Sequence, residues 1–209
     1  MNGYLSVEEE AVCEYVVERS RFITHIAPVE NEAAAKAYVE KIRKRHSLAT
    51  HNCYAYVADE AGLKQKFSDD GEPQGTAGLP MLEVLKARGL KKCAVVVTRY
   101  FGGVKLGAGG LARAYAKAAA DGANAAKIVK YVLCVFAETA ADYEQYAKIL
   151  KFAESKKYKV VDTRFSESAD VRFAVPEERF SSFGKDLADF FGGKLQAKTS
   201  GRGYCAFEE

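Results

Sequence analysis

The stretch from Arg99 to Tyr115, RYFGGVKLGAGGLARAY, constrains this chain more than any other. It follows an apolar run, Cys93 to Val97, that reads as a buried strand. It holds glycines at 102, 103, 107, 109 and 110 and cations at Arg99, Lys105 and Arg113. An alanine-rich helix is predicted to follow, from Leu111 to about Ala126. Strand, glycine loop and helix together leave unpaired backbone N–H groups at the helix start. Such a start attracts anions, because free donors and the helix dipole both favour negative charge.

The phosphate machinery of nucleotide enzymes is not spelled here. No GK[ST] follows the glycines, and they do not fall at GxGxxG spacing. The stretch therefore reads as a phosphate or RNA contact, with Arg99, Lys105 and Arg113 as cations and the Gly109 and Gly110 amides as backbone donors. Tyr100 and Phe101 lie beside the cations and are placed to stack on bases. The competing reading gives the glycines to a tight turn and pairs the cations with Asp69, Asp70 and Glu72.

That acidic segment lies in SDDGEPQGTAGLP, residues 68–80, where glycines and prolines exclude regular structure. Three carboxylates within four residues suit a divalent cation. They equally suit turn capping through Asx hydrogen bonds and pairing with Arg99, and that reading is preferred. Asp69, Asp70 and Glu72 are thus expected to support the glycine loop from an opposite loop. His51 is the one histidine near them in pattern; with them it makes a metal-assisted hydrolase the alternative. GxSxG, HExxH and Cys–His protease signatures are missing. No cofactor and no metal is assigned.

The rest of the chain frames these loops. Strands are predicted at 11–17, 20–29, 49–59 and 63–67, and a short helix at 81–88. A helix capped by Asn31 carries Ala35, Tyr38, Val39 and Ile42 on one face and ends in a basic turn, Lys41 to His46. That turn reads as a favourable dipole partner and a solvated face. From residue 131 the pattern resets to β-α-β-β-α-β, which is the ferredoxin-like order. Its helices are predicted to bury Tyr143, Tyr146, Ala147 and Leu150, then Phe180, Phe183, Leu187, Phe190 and Phe191. Phe165, Phe173, Tyr204 and Phe207 are expected mainly in its core. The domains are set at 1–130 and 131–209, and the fold class at two-domain α+β.

Charge sharpens the division. The chain has 209 residues and a formal net charge of +3, with the positive excess in residues 1–130. The excess is modest, so nucleic-acid contact is expected to be local. Five cysteines lack a CxxC spacing, which argues for reduced thiols in the cytoplasm and against a disulfide framework or structural zinc. No apolar run is long enough for a membrane anchor, and none is expected.

Three blocks resemble the IMPACT family, in its bacterial YigZ-type branch: ATHNCYAY at 49–56, FSDDGEPQGTAGLPMLEVL at 67–85 and VVVTRYFGGVKLGAGGLARAYAKAA at 95–119. The resemblance covers residues 15–120 in order, and the C-terminal half is similar to the small domain that follows in bacterial members. It implies an N-terminal domain like a ribosomal protein's second domain and the fourth domain of elongation factor G. It implies a ferredoxin-like C-terminal domain like that factor's fifth. Eukaryotic relatives bind a translational co-activator and restrain a kinase that phosphorylates an initiation factor. The resemblance thus implies a translation-associated binding protein, with RNA, the ribosome or a protein of translation control as partner. A protein-interaction regulator without nucleic-acid contact is the further alternative.

Overall fold

The computed structural model describes residues 3–207. In chain order its elements are β1 (Gly3–Val7), β2 (Ala11–Val17), β3 (Ser20–Pro28), α1 (Glu32–Arg45), β4 (His51–Val57), β5 (Gln65–Ser68), α2 (Gly78–Ala87), β6 (Cys93–Tyr100), α3 (Gly107–Ala125), β7 (Ile128–Ala141), α4 (Tyr143–Lys156), β8 (Lys159–Phe165), β9 (Ala169–Pro176), α5 (Phe180–Phe191) and β10 (Lys198–Phe207). The chain divides into two compact units, Tyr4–Lys130 and Tyr131–Phe207, with Gly3 grouped with the second.

The N-terminal unit is built on an antiparallel sheet in the order β2-β3-β6-β4-β5. Its two faces are chemically separate because side chains alternate along each strand. Phe22, Ile26, Cys53, Ala55, Val57, Val95 and Val97 face α2 and α3 in one core. Tyr54, Tyr56, Ala94 and Val96 face α1, which contributes Ala35, Val39 and Ile42. Asn31 caps α1 as its sequence predicts, accepting from the Ala34 N–H.

Helix α3 lies close to the sheet. Gly122 is packed so tightly that a Cβ there would meet Thr24 Cγ2 at 2.5 Å. The Thr24 hydroxyl donates to the Ala118 carbonyl at 3.0 Å. α3 also begins four residues before the predicted start, at Gly107. Glycine is a poor helix former, so the sequence marks Leu111 as the start. Packing of the later, buried turns carries the early glycine-rich one.

The C-terminal unit runs β-α-β-β-α-β from β7 to β10. β9 lies between β7 and β8, and β10 pairs with β7. Ile149, Phe152 and Ala153 of α4 share one core with Phe183, Leu187 and Phe191 of α5 and with β7 and β9. This corrects the predicted face of α4. β7 runs on to Ala141, and Asp142 forms a capping box with Gln145. With the helix so positioned, Tyr143 and Leu150 are exposed, as is Phe190 on α5. Phe173 is in the core. Phe165 and Tyr204 are exposed, Phe165 stacking on Tyr143. No helix among the described residues is long and apolar enough to cross a membrane.

Candidate functional site

β6 delivers Arg99 to the α2/α3 face of the sheet, in line with Cys93, Val95 and Val97. The side chain is buried. Its Nη1 donates to Glu72 Oε1 at 2.8 Å, and its Nη2 donates to the Ser20 hydroxyl at 3.3 Å. Tyr115, on α3, donates its hydroxyl to the same Glu72 oxygen at 2.8 Å. Burial, then the Cys53 thiol and the Glu72 carboxylate beside it, hold the Tyr115 phenol far above its ordinary range. Glu72 is therefore the hub through which the acidic loop, β6 and α3 are tied together.

The other two carboxylates have separate tasks. Asp69 Oδ1 accepts from the Ala77 and Gly78 N–H groups at 3.0 and 2.9 Å, and Oδ2 from Gly75 N–H at 2.8 Å. It caps α2 from eight residues upstream, in place of an N-cap side chain. Asp70 pairs with Arg43 of α1 at 2.7 Å and accepts from the Asn52 N–H. His51 Nδ1 meets the Asp70 carbonyl at 2.8 Å and must donate to it, so in the neutral ring Nε2 carries the lone pair. That Nε2 lies 3.8 Å from Glu72 Oε2. Among the described residues, no group of three or more His, Cys, Asp or Glu side chains is arranged to share a metal ion.

The sequence-based set of phosphate contacts thus separates in space. Arg99, read as a ligand cation, is an internal ion-pair partner. Tyr100 hydrogen-bonds through its hydroxyl to His46 Nδ1 at 3.0 Å. Lys105, Gly110 and Arg113 do come together. They line a cleft of about 630 Å³ with Tyr15, Val17, Glu18, Val104, Leu106, Ala114 and Lys117. Leu106 is the N-cap of α3, and no side chain caps that helix. Gly109 lies in its first turn, with open space where a Cβ would stand. Lys117 is paired with Asp121, but Lys105 and Arg113 have no ion-pair partner among the described residues.

A backbone contact forms the floor of the adjoining loop. A Cβ at Gly102 would overlap the Arg19 carbonyl, so only glycine fits there. The Gly102 N–H donates to the Ser20 hydroxyl at 3.2 Å. Glu18 and Arg19, the two-residue turn between β2 and β3, both have positive φ, 45° and 63°. That turn type normally takes Asn-Gly.

On the α1 face sits a polar pair that sequence reading missed. His25 Nε2 meets His46 Nε2 at 2.9 Å, and His25 Nδ1 is buried without a hydrogen-bond partner. Burial, then the His46 ring and Arg45, push the His25 imidazole down to about 4. Above pH 6.5 the ring is neutral both folded and unfolded. Below that the unfolded chain takes the proton first, so stability is lost as pH falls from about 6.5 through about 4. The full loss is roughly 3 kcal/mol. Urea unfolding across this range tests it: the difference in stability between wild type and His25→Asn should shrink with acidification by that amount, and a constant difference would refute the assignment.

Residues 18–123 match the Impact N-terminal domain, and residues 139–194 match a domain of unknown function, DUF1949. The IMPACT family member YvyE of Bacillus subtilis is 43% identical over 198 residues, covering 95% of this chain and 91% of the relative. YigZ of Escherichia coli is 36% identical over 192 residues, covering 86% and 89%. Similarity to Protein IMPACT of Mus musculus is 37% over 94 residues, 43% of this chain and 29% of that protein. A solved structure described as that of a hypothetical protein superposes with a TM-score of 0.62 at 33% identity, covering 94% of this chain and 97% of that one. The chain belongs to the IMPACT family.

Proposed function

We propose that this protein is a translation-associated binding protein, and that its N-terminal unit contacts RNA, on the ribosome or free, through the cleft at the start of α3. The observation that carries the reading is the pair of cations without carboxylate partners among the described residues, Lys105 and Arg113, beside an uncapped helix start. Phosphate supplies the charge that all three lack. The Gly109 amide adds a donor in the first turn, where no side chain screens the backbone. Arg99 and Glu72 hold the loop and helix together behind the cleft and need not touch the ligand.

Fold likeness supports the same reading. The C-terminal strands, with β9 between β7 and β8 and β10 paired to β7, and both helices in one core suit a ferredoxin-like domain resembling the fifth domain of elongation factor G. The N-terminal unit is read as the counterpart of that factor's fourth domain. The five cysteines stand as free thiols, which suits a reducing cytoplasm. The hydrolase alternative is disfavoured by the carboxylates themselves: Asp69 is taken up by backbone amides and Asp70 by Arg43 and Asn52.

Co-sedimentation with ribosomes across a salt series tests the proposal. Wild type should pellet at low salt and be released steeply as salt rises. Lys105→Ala/Arg113→Ala should bind at least tenfold more weakly, with a log–log salt slope smaller by about 2, since each phosphate contact releases about one counterion. Equal pelleting of the folded variant would overturn the assignment and leave a protein partner as the better reading.

A further inference from the structure

Phe101 is 47% exposed at the exit of β6. A lone exposed phenylalanine is ordinary on a protein surface. This one is unusual in how firmly it is held. Its own N–H donates to the Thr50 hydroxyl at 3.1 Å, and the next N–H, that of Gly102, is held by Ser20. The Gly102 backbone lies against Arg19 with no room for a side chain. The Arg99 guanidinium sits 5.4 Å from the Phe101 ring centroid and is itself anchored by Glu72. The backbone on both sides is thus tied to neighbouring strands and a buried cation supports the ring. Lys105, a cation of the cleft, follows four residues later.

We infer that Phe101 is a stacking platform for an unpaired base of the RNA that the α3 cleft engages, an inference that rests on the function proposed above. A flat ring presented on a fixed backbone over the Arg99 cation, with the cleft cation Lys105 four residues on in the chain, suits single-stranded RNA, which offers a base face and a phosphate a few ångströms apart. A paired base inside a duplex does not expose that face. The RNA is therefore single-stranded or bulged where it meets the loop, and the N-terminal unit discriminates by base accessibility as well as by charge.

Fluorescence anisotropy with a labelled oligouridine strand, and with a duplex RNA of the same length, tests this on the full chain. Phe101→Ala and Phe101→Leu should each weaken single-strand binding roughly 5- to 100-fold, leaving duplex binding and the salt slope unchanged. Leucine keeps the apolar bulk without a flat ring, and near-ultraviolet dichroism checks that both variants keep the fold. Single-strand binding by Phe101→Leu at wild-type strength, or an equal loss on duplex, would overturn the stacking role. Lys105→Ala/Arg113→Ala separates the two claims. If that variant loses binding while Phe101→Leu does not, the cleft stands and the platform fails. If wild type binds neither RNA at low salt, the proposed function fails and the platform with it.

Discussion

Replacing Arg99 by alanine is expected to lower the free energy of unfolding by about 3–5 kcal/mol. The cause is the carboxylate left behind. The Glu72 side chain is 3% exposed, and its charge is compensated at 2.8 Å by a guanidinium that is 6% exposed. Without that partner, Glu72 keeps the Tyr115 hydroxyl as a donor and, beside its other oxygen, the His51 Nε2 at 3.8 Å, which supplies a charge only when that ring is protonated. Urea denaturation of wild type beside Arg99→Ala reads the loss directly. Arg99→Met/Glu72→Met removes both charges and should regain part of it, because apolar side chains of similar length fill the space. Recovery should be incomplete, since Tyr115 is fully buried and its hydroxyl then lacks an acceptor. A loss below about 1 kcal/mol in the single variant would mean that the pair does not hold the loop against the sheet.

Asp69→Ala should cost about 2–4 kcal/mol, from three charge-assisted hydrogen bonds to the Gly75, Ala77 and Gly78 N–H groups. Those donors include the first turn of α2, which has no N-cap side chain to replace Asp69. Asp69→Asn keeps one acceptor oxygen and should lose roughly half as much. Thermal unfolding of both variants checks the order. Equal stability of Asp69→Asn and Asp69→Ala would show that charge, and not the number of acceptors, governs the cap.

Most of the element order from residue 11 on was legible because strand alternation and helix spacing are local signals, whereas β1 was not among the predicted strands. The Arg99–Tyr115 stretch also declared its strand, loop and helix. The destination of Arg99 was partly legible too. It continues the Cys93, Val95, Val97 side of β6, so alternation alone points it at the core. Its glycine-rich surroundings suggested a ligand, while the pairing with the acidic segment, also read from the sequence, is the one the structure shows, with Glu72 as the partner 27 residues away. Lys105 and Arg113 remained as candidate contacts since one is on a loop and the other on the exposed side of α3. The His25–His46 pair was hidden for a different reason. Neither residue belongs to a motif, and only the packing of α1 on β4 and β6 brings its C-terminal His46 against His25 of β3.

The contact of Gly102 with the Arg19–Ser20 backbone makes two segments behave as a single mechanical part. The β2–β3 turn is strained in its own right, with Glu18 and Arg19 both at positive φ. Its hydroxyl neighbour Ser20 holds both Gly102 and Arg99. Force applied at Phe101 is therefore passed to a hairpin more than 80 residues earlier in the chain, whose tip residue Glu18 forms part of the cleft wall. The cleft lies between that hairpin and α3, so its width is set by one hairpin turn and not by the glycine loop alone.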